Sequence, residues 1–482
     1  MGTAWREEIK EKPMRFSSSA APPFSRRFYY FWGKEMRIIV AGIGEVGTHL
    51  ASMLAGGVDD IIAIDPDRAN LDHLENVADL VTVEGSAASI AVLRQAEIEK
   101  CDLFIAVAHY EETNIISAIL AKKLGAKKVI ARVDSNELLQ PENQQHFKEL
   151  GIDSLIYPEK LASQVIIGLL GSVGTVEYVD FSNGQLVLAA MKVEQDMKYL
   201  GKTLQDIARI HHGDPYRIVA ILRDGLTIIP NGEEMLLQGD MLYVISSKAG
   251  ITSWHNLLGA SHVQVDNLMV LGASRIGMRT CLDLEGTVKT IKLIESDREK
   301  CEKLAPLFKN TIWVNGDGRD RELLLDEGLE HMDAFVAATG NSETNIMACL
   351  MARKAGVRQI IAEVENIDYI SLAEGIGIDT VVNKKLITAS RIFQFTMGSN
   401  ISFMRCLTNL DAEVLEYVAA EGAPATRGRI KDLNFPRLTI AGGVIRGSEA
   451  FIATGDTQIQ EGDRVVLFTL NPAHDRLDRF FS

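Results

Sequence analysis

The stretch that most constrains this chain lies between Met36 and Asp67. A short apolar segment at 38–41 leads into the sequence G-I-G-E-V-G at 42–47, and a helical pattern and a second apolar segment at 61–64 follow. The second segment ends at Asp65. This order of strand, glycine-rich turn, helix, strand and terminal acid is typical of a dinucleotide-binding βαβ unit. The alternative interpretation is a tight strand-to-helix turn without a ligand.

Each glycine of this unit has a physical task if a nucleotide binds. Gly42 permits a sharp turn, Gly44 leaves room for a pyrophosphate, and Gly47 lets the helix pack closely on the strand. The N–H groups at the helix start attract the anion. We expect Asp65 to accept hydrogen bonds from ribose hydroxyls, and its charge would repel a 2′-phosphate. The unit therefore favours NAD or an adenine nucleotide over NADP.

Strands and helices continue to alternate beyond Asp65. Apolar runs predict strands at 80–83, 103–107, 128–133 and 154–157, and helical periodicity predicts helices at 90–96, 113–124 and 137–150. This alternation predicts a parallel sheet, whose ligands bind outside the carboxyl ends of the strands. That edge includes Ala108, His109 and Arg132. We expect His109 to line the pocket rather than act as a base, and Arg132 either to reach a phosphate or to be an exposed structural arginine.

The pattern changes after this first lobe. Residues 158–170 predict a helix that is apolar on nearly every side and must be covered all round. Either another subunit covers it or it is an ordinary buried helix. Residues 176–248 show short alternating strands, one brief helix at 204–208 and several turn signals. They predict a small α+β module.

The whole arrangement then repeats about 230 residues later. Gly272 and Gly277 restate the glycine turn, Glu295 stands where Asp65 stood, and E-T-N-I at 112–115 recurs at 343–346. Residues 402–470 repeat the small module. Such agreement indicates an internal duplication and a pseudo-symmetric molecule.

The second copy differs from the first at the expected pocket. Ser274 replaces Gly44 and Glu363 replaces Arg132. A side chain at Ser274 hinders the closest approach of a pyrophosphate, although Arg275 beside it can recruit a phosphate instead. We expect the second lobe to bind differently or more weakly, or to be purely structural.

Composition narrows the possible functions. The 482 residues carry a net charge of −15, which disfavours nucleic acid or an anionic membrane as the main partner, because both need a basic surface. No run of 18 or more apolar residues occurs, which predicts no membrane-spanning helix. Five scattered cysteines without C-x-x-C spacing indicate reduced thiols rather than a zinc site. Residues 1–35 lack periodicity, and we expect a disordered head or a start assigned too far upstream.

The paired lobes and modules resemble a known family. G-I-G-E-V-G, I-D-P-D, E-E-T-N and a G-D turn near the end of each module are similar to the cytoplasmic subunits of Trk-type potassium-uptake systems, whose lobes are of the RCK/KTN class. The resemblance covers residue 36 to the C-terminus. It implies two Rossmann-like parallel-sheet lobes, each followed by a small α+β RCK-C-type module. It also implies a homo-oligomeric ring of lobes, docked peripherally under a membrane-embedded Trk-type potassium transporter subunit at the inner face of the cell membrane.

The resemblance implies NAD(H) or ATP/ADP as the ligand, and no catalytic residue or metal ligand. The expected domains are 1–35, the head; 36–158, the first lobe; 159–250, its crossover helix and module; 251–266, a linker; 267–384, the second lobe; and 385–482, its crossover helix and module. The residues expected to bind nucleotide are Gly42, Ile43, Gly44, Glu45, Val46, Gly47, Asp65, Ala108, His109 and Arg132 in the first lobe, and Gly272, Ala273, Ser274, Arg275, Gly277 and Glu295 in the second.

Two classes of function compete for such a chain. A regulatory subunit would shift the open–closed equilibrium of its lobes on binding nucleotide. An NAD-dependent oxidoreductase would need a substrate pocket with a proton donor beside the nicotinamide. The small modules are too short and too poor in such groups to be substrate domains. The sequence therefore favours the regulatory interpretation.

Overall fold

A computed structural model of the chain describes two repeats, each built from a lobe and a module. The structure describes residues 36–482 except 56–59, 172–173, 183, 196, 211–214, 248–249, 251–252, 255–264, 379, 394, 396–400, 408–409, 411, 437 and 471–473. The expected head at 1–35 and most of the expected linker at 251–266 lie outside the described residues. The two lobes belong to one compact unit and the two modules to another.

The first lobe is a six-stranded, wholly parallel sheet flanked by helices. Its strands have the order β3-β2-β1-β4-β5-β6. Both faces are covered, and therefore the central strand β4 is buried along its whole length. Its elements are β1 (Arg37–Ala41), α1 (Glu45–Ala55), β2 (Asp60–Asp65), α2 (Arg68–Glu75), β3 (Val81–Glu84), α3 (Ile90–Gln95), β4 (Leu103–Ala106), α4 (Glu111–Leu124), β5 (Lys128–Arg132), α5 (Pro141–Glu149), β6 (Ser154–Ile156) and the crossover helix α6 (Pro158–Leu170).

The first module is a five-stranded antiparallel sheet, and the described helix between β8 and β9 belongs to it. Its strand order is β10-β9-β11-β8-β7. The elements are β7 (Thr175–Phe181), β8 (Leu186–Lys192), α7 (Leu204–Ile210), β9 (Tyr216–Arg223), β10 (Leu226–Ile228) and β11 (Met241–Ser246).

The second lobe repeats the sheet of the first in the order β14-β13-β12-β15-β16-β17. All of its strands are parallel, as the repeat predicts. The elements are β12 (Asn267–Leu271), α8 (Arg275–Leu284), β13 (Thr290–Glu295), α9 (Arg298–Leu304), β14 (Thr311–Asn315), α10 (Arg321–Asp326), β15 (Ala334–Ala337), α11 (Ser342–Lys354), β16 (Gln359–Glu363), α12 (Asp368–Gly375), β17 (Val381–Val382) and the crossover helix α13 (Lys384–Phe393).

The second module has the topology of the first, with the order β21-β20-β22-β19-β18. The two modules share one apolar core, which includes Phe181 and Tyr243 of the first and Phe468 of the second. The elements are β18 (Ile401–Cys406), β19 (Ala412–Val418), β20 (Thr439–Arg446), β21 (Glu449–Ile452), β22 (Arg464–Leu470) and α14 (His474–Phe481). Within the described ranges, no helix is both long enough and apolar enough to cross a membrane.

The crossover helix α6 is covered by the second lobe of its own chain. It packs on α8 and on α13, and α13 packs in turn on α1. Ala162, Ser163 and Ile166 of α6 are fully buried. A helix that is apolar all round requires a cover, and here the duplicated lobe supplies one without a second subunit.

Candidate nucleotide-binding site

The glycine turn of the first lobe is tightly packed at two positions and open at one. Gly42 has a φ of +95°, and a Cβ there would lie 2.4 Å from the backbone N and Cα of Ala108. A Cβ at Gly47 would lie 1.8 Å from the carbonyl oxygen of Gly42. A Cβ at Gly44 would meet no atom within 4 Å. The turn, which leads directly into α1, therefore leaves space at Gly44, where the sequence predicts a pyrophosphate.

Asp65 holds the glycine turn from the end of β2. Its carboxylate is buried, accepting the N–H of Ile43 at Oδ2 (2.6 Å) and the N–H of Asp67 at Oδ1 (2.8 Å). These bonds fix the loop independently of any ligand. A carboxylate has about four acceptor positions, so a ribose hydroxyl can still be accommodated.

A buried asparagine joins two strand ends at the pocket edge. The Oδ1 of Asn114 accepts the N–H of Ala108 at 2.7 Å, and its Nδ2 donates to the carbonyl oxygens of Ala108 and Arg132, each at 3.0 Å. The backbone of Ala108 is thus fully hydrogen-bonded within the protein. In the sequence, Asn114 is noticeable only as part of the repeated E-T-N, and this recurrence is the signal for its structural role.

The two remaining candidates lie at the rim of the first pocket. His109 is exposed and packs edge-on against Tyr110, with ring centroids 4.8 Å apart. Arg132 is largely buried, not exposed, with 17% of its side chain accessible. Its Nη2 lies 3.2 Å from Asp134 Oδ1 and 3.6 Å from Glu159 Oε1. A phosphate at this rim would compete with these two carboxylates for the guanidinium.

The second lobe has the same backbone frame. Gly272 has a φ of +98°, and a Cβ at Gly277 would lie 2.1 Å from the Gly272 carbonyl oxygen. The carboxylate of Glu295 accepts the N–H of Ala273 at 2.9 Å and that of Asp297 at 3.0 Å. Burial opposes the charged form of Glu295, but these N–H donors and Lys300 hold its pKa below the usual value.

Asn345 repeats the bonds of Asn114. It accepts the N–H of Thr339 at 2.9 Å and donates to the carbonyl oxygens of Thr339, at 3.1 Å, and Glu363, at 2.8 Å. The two lobes therefore use one architecture to bring the ends of two neighbouring strands together.

The rim of the second pocket differs in ways that disfavour an anion. Ser274 caps α8, and its Oγ accepts the N–H of Gly277 at 3.1 Å. This bond uses one of the N–H groups at the helix start that could otherwise bind an anion. Glu363 is almost fully buried where the first lobe has Arg132. Burial, together with the charge of Glu365, raises the pKa of Glu363 to about 7.

Arg275 belongs to the second glycine turn but lies against the first lobe. Its Nη1 is 2.7 Å from Asp134 Oδ2. The structure thus places Arg275 and Arg132 each next to one oxygen of the same carboxylate at the first pocket. This contact competes with the expected role of Arg275 in recruiting a phosphate to the second lobe.

The cysteines bear on two further chemistries that the sequence raises, metal binding and reactive thiols. Among the residues that the structure describes, no group of three or more His, Cys, Asp or Glu side chains could hold a metal ion. Burial raises the pKa of the Cys101 and Cys349 thiols to about 12, so both stay protonated at neutral pH.

The fold and these pockets define a protein with tandem Rossmann-type lobes of the nucleotide-binding class. The TrkA-N domain model matches residues 38–158 and 268–384, and the TrkA-C domain model matches residues 188–259. The chain belongs to the TrkA family. The Trk system potassium uptake protein TrkA homolog of Archaeoglobus fulgidus is 32% identical over 447 residues, which cover 92% of this chain and 100% of that protein. The Trk system potassium uptake protein TrkA of Vibrio alginolyticus is 31% identical over 442 residues, which cover 90% and 96% of the two chains.

Solved structures share the fold. The crystal structure of the GsuK RCK domain aligns with a TM-score of 0.59 at 18% identity, covering 93% of this chain and 95% of that one. The GsuK channel bound to NAD aligns with a TM-score of 0.59 at 17% identity, covering 99% and 81%. At these identities the likeness concerns the fold alone. The second module has the sheet order of the first although the TrkA-C match ends at residue 259.

Proposed function

We propose that this chain is the nucleotide-binding regulatory subunit of a Trk-type potassium-uptake system. It would act at the cytoplasmic face of a membrane-embedded transporter subunit. Family membership supports the role, because relatives at 31–32% identity over about nine-tenths of the chain are named Trk system potassium uptake proteins. The observation that carries nucleotide binding is the open space at Gly44, between the start of α1 and the rim that bears Arg132.

The ligand of the first lobe is NAD(H) or an adenine nucleotide such as ATP or ADP. The open space beside Gly44 suits a pyrophosphate, and the buried carboxylate of Asp65 disfavours a 2′-phosphate nearby. The GsuK channel, which shares the fold, is described bound to NAD. The capped helix start and Glu363 make the second lobe the weaker site.

The same proposal includes assembly into a ring of lobes. Both lobes expose apolar side chains at equivalent positions: Ile116 (50% accessible) and Met347 (57%), and Leu150 (44%) and Ile376 (55%). In the second lobe, α11 and α12 lie on one face of the sheet, because both follow right-handed crossovers in the same direction. Repeated apolar positions on both lobes suit contacts between copies that close by symmetry.

Regulation would follow from linked equilibria. A nucleotide that binds one arrangement of the lobes better than another shifts the population toward it, and the ring transmits that shift to the transporter. A tenfold shift needs about 1.4 kcal/mol of differential affinity, which one additional phosphate contact can supply.

The first experiment separates this function from an NAD-dependent oxidoreductase. The purified chain is titrated calorimetrically with NADH, NAD, ATP and ADP, and NADH absorbance is followed for hours with mixed carbonyl substrates. We expect nucleotide-specific binding without loss of NADH. Steady NADH consumption would overturn the regulatory role, and absence of binding by all four nucleotides would overturn the proposed site.

Matched carboxylate variants test which lobe binds. Asp65→Ala and Glu295→Ala each remove a carboxylate that accepts hydrogen bonds from two backbone N–H groups, in equivalent loops. We expect Asp65→Ala to weaken binding more than about tenfold and Glu295→Ala less than about threefold, because only the first site keeps its open phosphate position. Equal losses would refute the asymmetry between the lobes, even if the regulatory function itself stands.

A further inference from the structure

The contact between the two lobes is built from equivalent elements. Helix α6 of the first lobe packs on α8 of the second, and α13 of the second lobe packs on α1 of the first. The crossover helices α6 and α13 also pack on each other. Each lobe thus offers the same surface, a glycine-turn helix and a crossover helix, as in a two-fold symmetric dimer.

The strand registers define which residues correspond. Arg132 pairs with Ile156 in the first lobe and Glu363 with Val382 in the second, so that Tyr157 corresponds to Asn383 and Glu159 to Lys385. The glycine turns make Glu45 correspond to Arg275. At both of these positions the two lobes carry opposite charges.

The opposite charges meet across the contact. Lys385 Nζ lies 3.5 Å from Glu45 Oε2, at the contact of α13 with α1. At the equivalent contact of α8 with α6, Arg275 binds Asp134, and its charge also interacts with Glu159. Glu159 is almost fully buried and lies 3.7 Å from Lys384 Nζ.

Pairing of identical lobes would place like charges at these two exchanged positions. If a first lobe met the first lobe of another copy in the same geometry, Glu45 would face Glu159. If two second lobes met, Arg275 would face Lys385. Like charges facing each other across this contact oppose association.

We propose that the exchanged charges make this surface specific for one partner. The first lobe's surface, around Glu45, Asp134 and Glu159, accepts the second lobe's surface, around Arg275 and Lys385, and rejects a second copy of itself. In an oligomer of this chain, the exchange keeps each first lobe paired with a second lobe, so that every pair contains one pocket of each type.

The test measures opening of the lobe contact in the full chain without nucleotide. Ser163 is fully buried on α6, with its Oγ 3.4 Å from Thr280 Oγ on α8, so a Ser163→Cys thiol reacts with a labelling reagent only when the lobes separate. The buried native thiol of Cys349, in the core of the second lobe, reports unfolding of that lobe instead. The reactivity of the chain without Ser163→Cys gives the background.

Charge variants are compared in the chain that carries Ser163→Cys. We expect Glu45→Lys and Lys385→Glu each to accelerate labelling of the introduced thiol by about threefold to tenfold, and the double exchange to return it to within about twofold of the parent. Arg275→Glu with Lys385→Glu, which gives the second lobe the charges of the first, should accelerate it most. Glu112→Lys, a reversal at an exposed site on α4, should leave it unchanged.

The outcomes separate charge recognition from general destabilisation. Recovery in the double exchange, with labelling of Cys349 constant throughout and the differences shrinking at high salt, supports the proposal. No recovery in the double exchange would overturn it. Unaltered labelling in the Arg275→Glu/Lys385→Glu chain, or parallel acceleration at Cys349, would overturn it as well.

Discussion

Replacement of Asn114 by alanine tests how the pocket is held together. The side chain is buried and makes three hydrogen bonds to the backbone at the ends of β4 and β5, at 2.7, 3.0 and 3.0 Å. Asn114→Ala leaves one N–H and two carbonyl groups without these partners. Each orphaned buried group costs about 1–3 kcal/mol, and partial access of water reduces the total to about 2–4 kcal/mol of unfolding free energy.

The same change should weaken nucleotide binding. Ala108 and Arg132 occupy the rim of the first pocket, and their positions depend on Asn114. Loss of two positioned contacts worth about 1 kcal/mol each predicts a decrease in affinity of about tenfold to thirtyfold. Calorimetric titration measures the affinity, and hydrogen exchange at the ends of β4 and β5 measures the local opening.

Asn345→Ala is the matched control. It removes the corresponding bonds to Thr339 and Glu363 in the second lobe, so its cost in stability should be similar. Its effect on affinity should stay below about threefold if the first lobe is the main site. Equal losses of affinity in the two variants, or a stable Asn114→Ala chain, would refute the reasoning.

Two further predictions follow from the glycine turn and from the buried acid of the second lobe. Gly44→Ala should fold with unchanged stability and bind nucleotide more weakly. Gly42→Ala should instead destabilise the lobe, because its Cβ would lie 2.4 Å from the Ala108 backbone at a φ of +95°. Thermal unfolding measures the stability of the two variants, and calorimetric titration measures their affinity for nucleotide. The pKa of Glu363 is raised from 4.5 to about 7, so the unfolded chain releases this proton first and stability falls as pH rises between those values, by up to about 3 kcal/mol. Glu363→Gln should therefore stabilise the chain at pH 8 and not at pH 4; an equal gain in unfolding free energy at both pH values would contradict this.

The sequence predicted the order of elements because the local signals agree with one another. The fourth strand was expected at 103–107 and is β4, Leu103–Ala106; the helix expected at 113–124 is α4, Glu111–Leu124. Glycine turns, apolar strands and helical periodicity are short-range features. Each of them can therefore be recognised from the sequence of its own segment. The internal repeat also predicted that the second module resembles the first, and the two sheets have the same strand order.

Features that depend on lobe packing could not be predicted. The all-round apolar pattern of α6 required a cover but did not identify it as α8 and α13. The contact of Arg275 with Asp134 joins residues far apart in sequence, and no local pattern specifies it. The role of Asn114 was likewise hidden, since a polar residue within a helix is usually exposed, whereas this one is buried.

The two glycine turns differ at the position where packing imposes no glycine. Gly42 and Gly47 are explained by close backbone approach, and their counterparts in the second lobe are glycines too. Gly44 is different, because a Cβ would meet no atom within 4 Å, and Ser274 shows that the same turn accommodates a side chain. Glycine is unfavourable at a helix start compared with a capping serine, so the protein's own stability gives no reason for it there. A ligand that must approach the backbone closely does give a reason for glycine. That reason applies only to the first lobe, where Gly44 leaves the backbone open.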